Sequence, residues 1–496
     1  MVALSRHGSG LLGTASTLVL FLAAQTAQAQ TAPAIDAEQA ATDAQMMALI
    51  RQQADRIADL EARLERIEKQ PVVEAGTPAP GTVPLIVPSL AYTRSQSHTQ
   101  PPVGSVPPGR PLDLNVTWGA GAPIFAKSDG SFTFKPRGRL LIDLDSTSGS
   151  RVASRNVTTT GLRGGRLGVE GTFLHHGFYQ FEADFAEGDV GIVGAFIGYQ
   201  DKIGKIEYDA RIGNMFNDRS LEGQTGSLTT PFIERNFVAN AILPQKGYYG
   251  MGTMLRVFGP GWHVSVSATG DPIDGAYAAS DTLGVASRAH WNPVRTEDLA
   301  LHLGAWGFYE NLSDAARTIT RNTAIGARFD STLRVSTGPL VDAKRSIGYG
   351  AEAGAFYRNV YAWGEYGRRD LSFLPGSVTD DFATDAWAVS AGWFITGEKA
   401  PYSARQGNFL APKILHGLAD GGSGAFELLA RHERLDYSRT PLGGTGEETT
   451  VGLNWYPVPL MRFMLNLSRW KTDNRVAPAI GEDSGTSITT RAQFNF

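Results

Sequence analysis

The sequence predicts an all-β chain: a transmembrane antiparallel β-barrel of about sixteen strands, preceded by a short periplasmic α-helical coiled coil. Three observations carry this. Hydrophobic residues make up 42% of the 496 residues, yet beyond the extreme N-terminus they never gather into the run of about 18 that a spanning helix needs. From about Phe132 onward, apolar and polar residues alternate with period two, which sends them to opposite faces of a strand. The chain also ends on an alternating segment, Ile488, Thr490, Ala492, Phe494 and Phe496, closed by an aromatic residue.

Composition removes several function classes. With no cysteine, disulfide scaffolds, thiolate metal sites and cysteine nucleophiles are excluded. A net charge of -4 argues against a nucleic-acid partner. There is no Gly-x-Ser-x-Gly elbow, His-Glu-x-x-His pair or phosphate-binding Walker loop, so no catalytic residue, metal ligand or cofactor is assigned and the chain is not read as an enzyme. The adjacent His175 and His176 sit on an expected tight turn with diverging side chains.

The N-terminal elements come in order. Residues 1–29 carry Arg6 and His7, an apolar stretch from Leu11 to Ala24, and Ala27-Gln28-Ala29, the pattern of a secretory signal peptide. Over 37–69, Met46, Ile50, Ile57, Leu60, Leu64 and Ile67, with the polar Gln53 among them, recur at spacings of three and four. That is a heptad seam flanked by charges, suited to a self-associating coiled coil; a lone amphipathic helix on another surface is the alternative. Residues 70–130 are linker and lead-in, with ten prolines between Pro71 and Pro111.

Residues 131–496 supply the barrel. Upward strands are expected near 131–144, 178–186, 205–214, 262–270, 299–310, 360–370, 424–436 and 461–471. Downward strands are expected near 162–174, 189–199, 247–258, 283–292, 347–358, 385–395, 448–457 and 486–496. A segment around 324–329 is a possible extra strand. Connections after downward strands are short, except 396–423; those after upward strands run long, notably 215–246 and 311–346. An even strand count, short turns at one end and long loops at the other belong to outer-membrane barrels, with lipid as the outer partner.

Parity sorts the charges. Arg137, Arg139, Arg166, Arg211, Arg256, Arg288, Arg431, Arg462 and Arg491 face the lumen, where a planar guanidinium suits anionic oxygens. The same parity turns Glu170, Glu182, Asp184, Glu207, Asp209, Glu427 and Glu433 inward, so the arginines could instead pair with the wall. The loop 215–246 carries Asp218, Arg219, Glu222, Glu234 and Arg235 and either folds into the bore as a constriction or caps the outside.

Several motifs resemble the phosphate-selective porin O and P family: Gly213-Asn214-Met215-Phe216 followed by Phe232-Ile233-Glu234-Arg235, Ile395-Thr396-Gly397-Glu398 with Tyr402, Gly424 to Arg431 with Leu435-Asp436, and Thr450 to Tyr456. The resemblance covers about residues 131 to 496. It implies a trimeric channel in the outer membrane of a Gram-negative cell, with long loops narrowing the pore and a terminal strand that barrel-assembly machinery recognises through Phe496. In that family, lumen arginines and a lysine cluster favour phosphate or polyphosphate. Here the whole chain has ten lysines and the loop only Lys246, so the lysine cluster is not matched. The expected function is passive diffusion of small hydrophilic solutes, preferably anions such as phosphate. The alternatives are a general, weakly selective porin and a tether held through the coiled coil.

Overall fold

The computed structural model describes residues 113–496 apart from 120, 189, 276–280 and 378. The signal peptide, the heptad seam from Met46 to Ile67 and residues 70–112 of the linker lie outside the described residues.

Sixteen antiparallel strands form the wall. They are β1 (Phe132–Ser148), β2 (Thr158–Phe173), β3 (Gly177–Asp184), β4 (Gly191–Ile203), β5 (Ile206–Phe216), β6 (Tyr249–Gly259), β7 (Trp262–Thr269) and β8 (Leu283–Trp291), followed by β9 (Leu299–Asn311), β10 (Ala343–Tyr357), β11 (Val360–Phe373), β12 (Phe382–Phe394), β13 (Ala425–Asp436), β14 (Thr445–Val458), β15 (Met461–Asn474) and β16 (Gly481–Asn495). Each pairs with its sequence neighbour, and β16 returns to β1 from Thr486 opposite Ser148 to Asn495 opposite Arg139, which closes the cylinder. Closure leaves the wall no unpaired edge. Every expected strand is present, with ends displaced by a few residues. The region of the possible extra strand instead forms a small separate hairpin, Asn322–Ala324 with Arg334–Ser336, that is not part of the wall.

Alternation explains why the wall holds its register: a slip of one residue would turn the apolar set into the bore. Leu465, Leu467, Val389 and Val451 are exposed on the outer face, while their neighbours Asn466, Ser468, Ser390 and Thr450 are buried inside. Outward Trp291, Tyr357 and Trp393 sit near the short-turn end and Tyr309 near the other, the rims where amphipathic rings favour a membrane interface. Among the described residues no helix is long and apolar enough to cross a membrane.

A lead-in hairpin, Leu114–Trp118 with Pro123–Lys127, adds to the wall at the short-turn end. Its Phe125 and Ala126 pair with Phe134 and Thr133 of β1, below the point where β16 stops. The C-terminal residue is held there too: Phe496 and Gly138 exchange backbone hydrogen bonds of 3.0 and 3.1 Å.

Candidate functional site

Three connections enter the barrel. The loop 217–248 leaves β5 and carries α1 (Leu221–Gln224) and α2 (Phe237–Ala241). Each helix begins at a polar cap, Ser220 accepting from Gly223 and Asn236 accepting from Ala239. The connection 312–342 and the long segment 395–424 fold inward as well, from opposite ends, with Leu333 and Phe409 almost fully buried.

The loop 217–248 spans the bore rather than capping it. Starting between β5 and β6, it reaches the opposite wall: Arg462 of β15 donates to the carbonyls of Thr230 and Pro231 at 2.8 and 2.6 Å. Arg491 of β16 donates to Ile233 O at 2.6 Å and also holds Asp143 through two 2.7 Å bonds. Arg431 of β13 grips Glu222 with two 2.8 Å contacts and the Glu234 carbonyl at 3.1 Å. Carboxylates do the converse for backbone donors. Glu365 accepts from Leu221 N at 2.6 Å, Glu433 from Phe237 N at 2.6 Å, and Glu310 from Gln245 N at 2.9 Å. Wall charges thus satisfy loop backbone that would otherwise be buried without partners.

Aromatic packing completes this half. Leu221 and Phe232 of the loop meet Phe409 and the wall residues Phe356, Tyr361 and Trp363 in one cluster. Phe237 and Val238 meet Ile325, Leu333, Trp306 and Trp470 in another. Inward positions along β11, such as Tyr361, Trp363, Glu365, Arg369 and Leu371, are all buried. The inward segments therefore pack against the wall beside β7–β16. A cavity of about 410 Å³ remains between the loop and the wall, bounded among others by Asp145, Glu234, Arg328, Arg334, Glu448 and Asn466.

The other half is more exposed, although Arg139, Glu182, Asp209 and Arg256 within it are buried. Along β2–β5 the inward residues Arg166, Glu170, Phe178, Gln180, Phe196 and Arg211 are only half-buried. Arg137 reaches Glu170 at 2.6 Å, and Arg139 reaches Glu182 at 2.9 Å and Ser227 of the loop at 3.1 Å. Arg166 bonds Asp184 at 2.7 Å and lies 3.4 Å from Tyr249 Oη. Arg211 and Arg256 share Asp209, at 2.9 Å and 2.7 Å. On the loop side of the gap, Glu234 is bound by Arg163 at 2.7 Å and Arg491 at 3.1 Å. Burial favours protonating Glu234, but the charges of Arg163, Arg328 and Arg491 outweigh it and hold the carboxyl well below the usual range. Arg235 donates to the carbonyls of Glu222 and Thr225 and lies over the rings of Phe216 and Tyr248.

The structure thus separates the arginines singled out by parity. Arg137, Arg139, Arg166, Arg211 and Arg256 stand on the open side. Arg288, Arg431, Arg462 and Arg491 are fastened to the inward segments. Of the loop residues, Arg219 braces α2, donating to Ile242 O at 2.7 Å and Ala239 O at 2.9 Å, and burial pulls its guanidinium down to about 10. Glu222 also accepts from Trp363 Nε1 at 2.9 Å.

One cluster went unrecognised in the sequence. His263, His290 and His302, on β7, β8 and β9, lie in a row, all buried, with ring centroids 4.6 Å apart and tilted for the first pair and 5.4 Å apart and stacked for the second. His263 Nε2 meets Asp218 of the loop at 2.9 Å, and His302 Nδ1 meets Tyr402 Oη at 2.7 Å. Arg288 joins the same tie: it bonds Glu352 at 2.8 Å, Asp218 at 3.3 Å and the carbonyls of Gln406 and Gly407. Burial pushes Asp218 up, but the hydrogen bond from His263 and the charge of Arg288 hold it at about 2. The cluster pins the loop and the segment 395–424 to the wall. Inward parity of the three histidines was the available signal; their adjacency needs the strand register, in which His290 lies opposite His263.

The family model described as phosphate-selective porin O and P matches residues 134–496. No curated protein matches the sequence. Among solved structures, similarity extends to OmpT of Vibrio cholerae, at 13% identity and TM-score 0.46 over 74% of this chain and 98% of that one. The anion-selective porin from Comamonas acidovorans is similar at 13% identity and TM-score 0.44, over 74% of this chain and all (100%) of that one. The outer membrane channel DcaP of Acinetobacter baumannii is similar at 12% identity and TM-score 0.45, over 74% and 98%. These likenesses are distant, and the assignment rests on the family model. It runs from the first barrel strand to the final phenylalanine, and the chain belongs to the phosphate-selective porin O and P family of outer-membrane porins.

Proposed function

We propose that small hydrophilic solutes diffuse through the open half of the bore, between β1–β5 and the loop 217–248, and that small anions are favoured. One observation carries this reading. Lys135, Arg137, Arg139, Arg163, Arg166, Arg211 and Arg256 pair with only Glu170, Glu182, Asp184, Asp209 and Glu234 around this gap, an excess of positive charge, whereas the arginines of the packed half are engaged with loop backbone and buried carboxylates. An anion moving along successive guanidiniums, each partly neutralised, is held weakly enough to leave, which conduction requires. Arg137, Arg139, Arg166, Arg211 and Arg256 are the residues assigned to solute. Arg288, Arg431, Arg462 and Arg491 are assigned to holding the constriction.

Phosphate selectivity is the narrower form of the same proposal, supported by the family description alone. A general, weakly selective porin is the second reading, favoured because every one of the five arginines touches a carboxylate, which produces a field across the gap. Single-channel recording in a planar bilayer under a KCl gradient separates them. A chloride-favouring reversal potential, with current blocked by added phosphate, supports the first; no ion preference supports the second. A cation-favouring potential overturns the anion assignment.

The N-terminal parts belong to the proposal too. Residues 1–29 act as a signal peptide, 37–69 as a periplasmic coiled coil of a trimer, and Phe496 as the residue read by the assembly machinery. Deleting residues 37–69 is expected to weaken trimers in gentle electrophoresis; unchanged trimers would mean that the barrel walls associate alone. A tether that conducts no current is the outcome that would replace transport altogether.

A further inference from the structure

Aromatic rings are distributed unevenly between the two halves. On the packed side they fill clusters. On the open side Phe178 of β3 and Phe196 of β4 face the lumen half-buried, 6.2 Å apart and edge to face. Glycine makes this surface flat: a Cβ at Gly198 would collide with the Phe178 ring, and one at Gly213 with the backbone beside Phe196. Arg211 lies across both rings, its guanidinium carbon 5.3 and 5.0 Å from their centroids. Among the described residues only its Nε is hydrogen-bonded, to Asp209 at 2.9 Å, so both Nη atoms keep their donors for a ligand. The side chain is 20% exposed.

We propose that this shelf is a binding site for aromatic carboxylates, and that the pore favours them over equally charged compact anions. The inference rests on the diffusion path assigned above and names the solute class it prefers. A bare inorganic anion gains nothing from half-exposed phenyl faces. An aromatic carboxylate gains on both counts: its carboxylate meets the Nη donors of Arg211 in the planar fork that guanidinium offers, and its ring lies against Phe178 and Phe196 at offset or edge geometry. Arg166, with Tyr249 beside it, offers the next anion contact along the wall toward the loop.

The test uses the full-length protein in planar bilayers, with sodium benzoate and sodium acetate as probes added to a KCl bath. Block of the ion current by benzoate is expected at concentrations at least about fivefold lower than for acetate. In Phe178→Leu/Phe196→Leu, which keeps bulk and removes the ring faces, benzoate is expected to fall to the acetate level while the reversal potential in a KCl gradient stays unchanged. Equal block by the two probes in the native protein would overturn the shelf, as would a benzoate preference that survives the double variant. A reversal potential that shifts in the double variant together with an unchanged benzoate-to-acetate ratio would show that the rings serve only to brace Arg211. Failure of the diffusion path itself reads differently: no anion preference in KCl before either probe is added.

Discussion

The two halves of the bore use the same residue types for opposite ends. Beside β7–β16, arginines and carboxylates are buried and bonded to loop backbone, and rings are packed into clusters. Beside β1–β5, Arg137, Arg166, Glu170, Asp184, Phe178, Phe196 and Arg211 stand half-buried along a gap. The difference teaches that an inward charge in a barrel is free for solute only to the extent that inward segments of the chain do not use up its donors. Arg431 and Arg211 are both inward arginines paired with carboxylates. Arg431 has Glu222, the Glu234 carbonyl and the Phe232 ring around it, whereas Arg211 has Asp209 and two rings and stays partly exposed.

Substitutions can break or sharpen that contrast. The largest effect is expected at Arg431→Met, which strands Glu222 in a buried site. Removing one partner of such a pair costs about 3–5 kcal/mol, read as a lower unfolding temperature in detergent together with a noisier single-channel current as the loop loosens. An unchanged unfolding temperature would mean that the loop is held by its apolar contacts alone. Next comes Leu465→Arg on the outer face of β15. A charge in the lipid-facing band costs about 2–4 kcal/mol near the midplane, measurable by denaturant titration of protein folded into vesicles. The same substitution in a wall that did not face lipid would cost far less. The smallest stability effect belongs to Arg211→Gln, on the order of 1 kcal/mol or less, because Asp209 keeps Arg256 as its partner. That variant is expected instead to move the reversal potential toward cations, reversing the order of the two readouts seen at Arg431.

The wall was legible in the sequence because period-two alternation is a local property: Met461, Phe463, Leu465 and Leu467 declare their outward face without reference to any other strand. The inward course of the loop 217–248 was legible only through family motifs such as Phe232-Ile233-Glu234-Arg235. What the inward charges bind was not legible at all. Arg462 ends on the carbonyls of Thr230 and Pro231, more than two hundred residues earlier in the chain, and a backbone carbonyl leaves no mark in composition or spacing. The length of 396–423 stood out, but nothing local showed that Phe409 would be buried against Trp363, with ring centroids 4.9 Å apart.

The division of the bore has a direct test in a chain that contains no cysteine. Gln180→Cys places a thiol on the open side, and Ser390→Cys places one at a buried inward position of β12, beside Arg431. Current through single channels is recorded while a small, negatively charged thiosulfonate reagent is added. The expected result is a stepwise fall in conductance for Gln180→Cys and none for Ser390→Cys. Modification of the Ser390→Cys channel with loss of current, and an inert Gln180→Cys channel, would contradict the assignment of the path to the β1–β5 side.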